Sequence, residues 1–188
     1  EVARYAIECG SHPDRTLVRA NAVDPKVFRP RSPEDPLRAH LFPPEALVVG
    51  FHGRLRPWHN LPLLAEALAI LLAEGLPVYF FALGEGPFEE ALEGRVPVSR
   101  RVQVPWVPHE EAAGYVACFD VMALSYAADE CCYFSPLKLL EAMATGAVPV
   151  VPNLGDLPEI VGHGSRGIVV APGNPVEIAR AIRGLACD

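Results

Sequence analysis

Lysine is scarce in this chain, and no block of basic residues occurs anywhere in it. Only Lys26 and Lys138 among the 188 residues are lysines, and the formal net charge is −7. A protein with this charge does not attract a nucleic-acid backbone or an anionic membrane surface, because both are themselves negative. We therefore expect no nucleic acid among its partners.

Long apolar runs are missing as well, although 51% of the residues are hydrophobic. A membrane-spanning helix needs about 20 consecutive apolar residues, so we predict no transmembrane segment. The five cysteines form no CxxC pair and no signal peptide opens the chain at Glu1, which together predict a cytoplasmic location. The adjacent Cys131 and Cys132 cannot easily ligate one ion tetrahedrally, so no metal site is predicted.

Strand and helix patterns alternate from Leu47 onward. Apolar runs typical of buried parallel strands lie at Leu47–Phe51, Val78–Leu83, Val102–Val104, Val121–Leu124, Val148–Val151 and Ile168–Val170. Helical patterns lie near Leu61–Ala73, Phe88–Leu92, Glu110–Cys118, Pro136–Thr145 and Val176–Ala186. This alternation predicts an α/β fold, a Rossmann-like parallel sheet flanked by helices on both faces.

The first 46 residues do not follow this alternation. Glu1–Glu8 has the pattern of a helix end, Thr16–Ala20 that of a short strand, and Val27–Pro44 that of a proline-rich connector. We predict that residues 1–46 are the tail of a preceding domain with a hinge, and that residues 47–188 form the ligand-binding Rossmann-like domain.

The most informative segment is Tyr133–Val151, with the sequence YFSPLKLLEAMATGAVPVV. Ser135 is a good helix N-cap and Pro136 suits the first helical turn. Lys138 would then be the third helical residue, where a cation opposes the helix dipole and costs about 0.3–1 kcal/mol. The misfit disappears if an anion binds at the helix N-terminus, held by free backbone N–H groups and the ammonium together.

Glu141 lies further along the same predicted helix. It follows Leu137 by one turn, beside an apolar stripe formed by Leu137, Leu140 and Ala144. Carboxylates are rarely buried without a partner, so a ligand hydroxyl is a reasonable partner for it. A ligand that places a phosphate at the helix tip and a sugar hydroxyl near Glu141 would be a nucleotide.

The loops that follow the strands would gather at one edge of a parallel sheet, where such sheets bind ligands. The loop residues of interest are Gly53, Arg54, Arg56 and His59 after the first strand, Gly84 after the second, and Trp106 and Val107 after Val102–Val104. Arginine makes forked contacts with phosphate oxygens, and glycine lets the backbone approach closely. Alternatively, the arginines are solvated, His59 merely starts a helix, and Trp58 and Trp106 pack rather than stack on a base.

Several nucleotide and hydrolase signatures are missing. The run Gly84–Glu85–Gly86 begins like a dinucleotide fingerprint, but Glu89 occupies the third glycine position, which argues against a nicotinamide or flavin cofactor. No P-loop occurs, and neither Ser125 nor Ser135 has the context of a hydrolase nucleophile. We expect no cofactor.

The motifs together resemble the C-terminal, donor-binding half of a family-four retaining glycosyltransferase of the GT-B fold. The matching segments are RANAVD (Arg19–Asp24), Gly53–Arg54, LGEGP (Leu83–Pro87), VPHEE (Val107–Glu111), SPLKLLEAMATGAVPVV, LPEIV (Leu157–Val161) and GIVVAPGN (Gly167–Asn174). The resemblance covers nearly the whole chain, and the SPLK form is similar to a subset of the family.

The resemblance implies two Rossmann-like lobes with a nucleoside diphosphate sugar, such as a UDP or GDP sugar, bound between them. Arg54 and the Ser135–Leu137 amides would contact the diphosphate, and Glu141 would hold the ribose hydroxyls. The acceptor, a saccharide, lipid or small molecule, would bind a lobe outside this chain. The chain would then be a truncated fragment, inactive by itself.

Two positions depart from the family pattern. Tyr133 stands where the family has its first motif glutamate and would line the sugar pocket, while His59 stands where the family has a lysine. Arg56 or Lys138 would supply the missing charge. The favoured interpretation is a metal-independent transferase that stabilises the departing diphosphate electrostatically. The alternatives are a nucleotide-binding domain that has lost activity and a dehydrogenase-type Rossmann domain.

Overall fold

The computed structural model describes residues 2–32, 35–128 and 136–186. In chain order the helices are α1 (Val2–Glu8), α2 (Pro36–Leu41), α3 (Leu61–Ala73), α4 (Phe88–Leu92), α5 (His109–Val116), α6 (Leu137–Thr145), α7 (Leu157–Ile160) and α8 (Pro175–Leu185). The strands are β1 (Leu47–His52), β2 (Val78–Leu83), β3 (Arg101–Val104), β4 (Val121–Ala123), β5 (Val148–Pro152) and β6 (Ile168–Val170).

The described strands form one parallel sheet in the order β3-β2-β1-β4-β5-β6. Adjacent residues of β1 show that both faces are covered, since Val48 and Val49 point to opposite faces and are both fully buried. Val49 packs with α3 and α8, and Val48 packs with α5 and α6. The predicted Rossmann-like α/β fold is therefore confirmed.

The N-terminal segment differs from its prediction in two places. Thr16–Ala20 is not a strand: in the described structure it pairs with no neighbour, and Leu17 and Val18 are about three-quarters exposed. The proline-rich connector contains helix α2, which begins at Pro36 because Asp35 caps it by accepting the Leu37 N–H at 2.9 Å. A strand pattern without a partner strand has nothing to complete its hydrogen bonds.

Helix α2 is fixed to the sheet by Arg38. Its guanidinium donates to the carbonyls of Ala46 and Cys118 and to Asp120 Oδ2, which is 2.9 Å away. Asp120 Oδ2 also accepts the Val48 N–H at 2.7 Å, so one carboxylate joins α2 to the start of β1. Phe28 and Phe42 are likewise buried in the core on the α5 side. A domain boundary near residue 46 stays a prediction.

None of the helices in the described part of the chain combines the length and apolarity that a bilayer crossing requires.

Candidate functional site

The candidate site lies at the carboxyl edge of the sheet, beside β1 and β4. Strand order reverses there, since β1 is followed in sequence by β2 on one side and has β4 on the other. A crevice forms at such a switch point because the following loops diverge. The loops after β1, β2 and β3 and the N-terminal half of α6 contribute the side chains described below.

The loops after β1 and β2 touch through their backbones. The Gly53 N–H donates to the Leu83 carbonyl at 2.8 Å, and a Cβ on Gly84 would lie 2.4 Å from the Gly53 carbonyl oxygen. Gly53 has φ +98° and Gly84 has φ +127°, which glycine adopts without strain. The close contact of the two loops therefore requires a glycine at position 84, whereas Gly53 is favoured by its positive φ alone.

A cleft of about 190 Å³ opens under these loops. It is lined by His52, Gly53, Leu83, Gly84, Trp106, Val107, His109 and Ala112. The structure thus brings together four of the predicted residues, Gly53, Gly84, Trp106 and Val107. Trp106 is 67% exposed, so it forms part of the rim rather than of the core.

Helix α6 begins one residue later than predicted. Its first residue is Leu137, with Pro136 in the capping position, so Lys138 is the second helical residue rather than the third. Because the ψ angle of Pro136 is 94°, outside the helical range, this residue precedes the helix instead of opening it. Ser135 and Tyr133 lie outside the described residues, and their predicted roles stay predictions.

The buried face of α6 is also different from the predicted stripe. Leu139, Ala142 and Thr145 are buried, whereas Leu137 is 45% exposed. The sequence LKLLEAMAT is apolar on more than one side, so the 3.6-residue period alone could not select the face that meets the sheet. The observed face turns Lys138 and Glu141 toward the end of β1.

Lys138 is drawn into the protein rather than extended into solvent. Its Nζ lies 2.9 Å from His59 Nε2 and 4.2 Å from the centre of the Phe51 ring. Burial lowers the pKa of Lys138 to about 7, and the nearby Glu141 carboxylate opposes this shift. The predicted helix-tip cation is therefore present but only partly charged near neutral pH.

His59 is held rigidly at the end of a short 3₁₀ turn, Pro57–His59. Its Nδ1 accepts the Arg56 backbone N–H at 2.9 Å, and its carbonyl accepts the Ser125 hydroxyl at 2.7 Å. Burial, assisted by Lys138 and Arg56, lowers the pKa of His59 to about 3. His59 stands two residues before α3, so its interpretation as a residue near a helix start is also correct.

Glu141 lies between two histidines that the sequence did not single out. His52 Nε2 is 3.6 Å from Glu141 Oε2, and His109 Nδ1 is 3.9 Å from Glu141 Oε1. Burial raises the pKa of Glu141 and lowers that of His52 to about 4. At neutral pH, His52 is therefore a neutral ring beside a carboxylate, not half of an ion pair.

His52 also fixes the start of α6. Its Nε2–H donates to the Lys138 carbonyl at 3.1 Å, since a carbonyl can only accept. The available sequence signals were the position of His52 directly before Gly53 and the place of His109 in the VPHEE motif. Neither signal indicates that both rings meet Glu141.

The two loop arginines lie outside the lining of the cleft. Arg54 is exposed and forms an ion pair with Glu85 at 3.0 Å, and Arg56 places its guanidinium carbon 6.0 Å from the centre of the Trp58 ring. Neither Arg54 nor Arg56 is among the described residues that line the cleft. A phosphate contact by Arg54 would have to compete with Glu85.

Within the described ranges, no group of three or more His, Cys, Asp and Glu side chains is placed to hold a metal ion.

Comparison with known proteins gives matches over nearly the whole chain. The family model described as glycosyl transferases group 1 matches residues 46–188. The D-inositol 3-phosphate glycosyltransferases of Streptomyces bingchenggensis and Corynebacterium urealyticum are 30% and 31% identical over 95% and 100% of this chain. The chain covers 42% and 47% of those proteins, less than half of each.

A solved structure of Anabaena HepE in complex with UDP-glucose also matches. It superposes with a TM-score of 0.77 at 26% identity, over 95% of this chain and 50% of the HepE chain.

Proposed function

Since the chain belongs to the glycosyl transferases group 1 family, we propose that it is the half of a retaining glycosyltransferase that binds a nucleoside diphosphate sugar. The observation that carries the proposal is the placement of Lys138 and Glu141 one turn apart, at the N-terminal end of α6 and beside the switch point of the sheet. The likeness to HepE with UDP-glucose supports a UDP sugar as donor, with a GDP sugar as the alternative.

The proposed division of roles follows the chemistry of the site. Lys138 and the free N–H groups of the first turn of α6 would hold the diphosphate, because both present positive charge or donors to oxygen anions. Glu141 would accept hydrogen bonds from ribose hydroxyls, and Trp106 and Val107 would flank the base. The exposed Arg54 would exchange Glu85 for a phosphate oxygen.

In the transfer step the bond between the sugar and the diphosphate breaks, and negative charge grows on the departing group. A cation and a helix N-terminus directed at the departing group would stabilise that charge more than they stabilise the bound donor. This electrostatic arrangement would not require a metal ion. The acceptor saccharide, lipid or small molecule would bind a lobe outside this chain, so this chain by itself would not catalyse transfer.

The proposal is tested by titrating the chain with UDP, UDP-glucose, GDP-glucose, ADP-glucose and uridine, and measuring the thermal shift and affinity of each. We expect Lys138→Met to lower UDP affinity by about tenfold to a hundredfold, as for loss of a charge-assisted contact. Uridine affinity should change little, because uridine carries no phosphate. Glu141→Gln should weaken both ligands.

Lys26→Met is the matched control, since Lys26 is the only other lysine and is exposed. It should leave every affinity unchanged. Equal losses for UDP and uridine in Lys138→Met would contradict the phosphate role. A longer enzyme that contains this chain would bind UDP in either case. If Glu141→Ala left its turnover unchanged, the alternative of a nucleotide-binding half without a catalytic role would be favoured.

A further inference from the structure

The contact between His59 and Lys138 restricts where protons can be. The Arg56 backbone N–H always donates, so His59 Nδ1 must carry the lone pair that accepts it at 2.9 Å. A neutral imidazole with an unprotonated Nδ1 carries its proton on Nε2. That Nε2–H faces Lys138 Nζ at 2.9 Å.

An ammonium group has no lone pair and cannot accept this hydrogen bond. A neutral amine can accept it, because deprotonation leaves one lone pair on the nitrogen. The alternative, a protonated imidazole facing an ammonium, would place two positive charges in contact at a poorly solvated site. The hydrogen-bond geometry therefore favours the amine form of Lys138 before a ligand binds.

The other groups around Lys138 act in both directions. Among the described residues, Glu141 on the same helix and the face of the Phe51 ring, 4.2 Å from Nζ, favour the ammonium, while burial opposes it and is the larger effect. His52, on the end of β1, binds the Lys138 carbonyl and is neutral near pH 7. The lowered pKa of Lys138, about 7, agrees with this balance.

We propose that His59 is a positioning residue that favours Lys138 as a neutral hydrogen-bond acceptor before a ligand binds, and that a bound diphosphate draws a proton from solvent onto Lys138. Protonation ends the hydrogen bond from His59, and the flexible side chain carries the new ammonium to the phosphate oxygens. One N–H bond forms on Lys138, and the bond between the buffer acid and its proton breaks and leaves the conjugate base, so no oxidant, reductant or further reactant is needed. This inference rests on the proposed function, because it takes the nucleoside diphosphate as the anion.

Proton uptake can be counted by calorimetry. UDP is titrated into the chain at pH 8 in HEPES and in Tris, and the difference in binding heat divided by the difference in buffer ionisation enthalpy gives the protons taken up. With a Lys138 pKa of about 7, about 0.9 proton per UDP is expected at pH 8 from the simple titration relation. Uridine should give no uptake.

Two variants of His59 separate positioning from a general effect on folding. His59→Phe keeps Lys138 buried but removes the hydrogen-bond donor, so the pKa of Lys138 should rise and the proton uptake at pH 8 should fall below that of the unmodified chain. His59→Gln retains an N–H donor at a similar distance and should restore most of the uptake. UDP affinity should fall at high pH, where Lys138 is harder to protonate. The pH at which this fall begins should be higher in His59→Phe than in the unmodified chain, and unchanged in His59→Gln.

The outcomes distinguish this inference from the function on which it rests. If UDP binds the unmodified chain without proton uptake, the inference is overturned and the proposed function stands. The same conclusion follows if His59→Phe takes up as many protons as the unmodified chain. If UDP does not bind the unmodified chain at any pH, both are overturned. Because the first measurement needs no variant, a misfolded variant does not prevent the decision.

Discussion

Acid should destabilise this protein through its two buried histidines, His52 and His59. The His52 side chain is only 9% exposed, and burial lowers its pKa from 6.5 to about 4. At pH 5 the ring is therefore mostly protonated in the unfolded chain and mostly neutral in the folded one. Because the folded state binds fewer protons, the free energy of unfolding falls as the pH falls from about 6.5 toward 4.

The magnitude follows from the two pKa values. Between pH 7.5 and pH 5 the linkage relation gives a loss of about 2 kcal/mol from His52. His59, with its pKa lowered to about 3, adds a loss of the same sign and about the same size. Glu141 acts in the opposite direction, because its raised pKa means that the folded state binds more protons than the unfolded chain on acidification.

Urea unfolding followed by circular dichroism at both pH values measures this effect. His52→Gln keeps an N–H donor for the Lys138 carbonyl but cannot titrate, so its stability loss on acidification should be about 2 kcal/mol smaller than that of the unmodified chain. His40→Gln, at an exposed position, should behave like the unmodified chain. If His52→Gln lost as much stability on acidification as the unmodified chain, the assignment of a neutral buried His52 would be refuted.

Two further predictions concern the scaffold. Gly50→Ala should lower the free energy of unfolding in urea by about 2–3 kcal/mol, since its Cβ would lie 2.1 Å from Phe119 Cγ. Gly184→Ala, whose Cβ meets no atom within 4 Å, should instead raise it by about 1 kcal/mol. Similar effects of the two substitutions would contradict the packing argument. Arg38→Met should lower the free energy of unfolding by about 2–4 kcal/mol because it leaves the half-buried Asp120 without its cation. Arg4→Met removes one member of a mostly exposed ion pair and should change that free energy by less than about 0.5 kcal/mol. If Arg38→Met had no effect, α2 would be held by apolar contacts alone.

The strands could be predicted because burial on both faces leaves a direct trace in the sequence. Strand β2, Val78–Leu83, is a continuous apolar run and was predicted with its observed bounds. Helix α3 was also predicted with its observed bounds, Leu61–Ala73. Helix α2 was missed because its stability comes from the Asp35 cap and from contacts of Arg38 with residues about 80 positions away, which no local pattern records.

The candidate site was predicted in part for the same reason. The glycines and Lys138 are visible as local misfits or turn residues, so their importance could be predicted. The contact of Lys138 with His59 joins residues 79 positions apart and depends on which face of α6 meets the sheet. His52 was overlooked because a histidine at the end of an apolar strand has no distinctive spacing. Burial, which sets the charge state of all three, is a property of the folded chain.

The contact between Gly53 and Gly84 limits how this site can be altered by mutation. A methyl group on Gly84 would overlap the Gly53 main chain, and Gly53 itself has a positive φ that favours glycine, so neither position accepts a larger residue without strain. Trp106 and Val107, which also line the cleft and precede α5, are not held by such a contact. Substitutions in the β3–α5 loop would therefore alter the cleft while leaving the contact of the β1 and β2 loops intact.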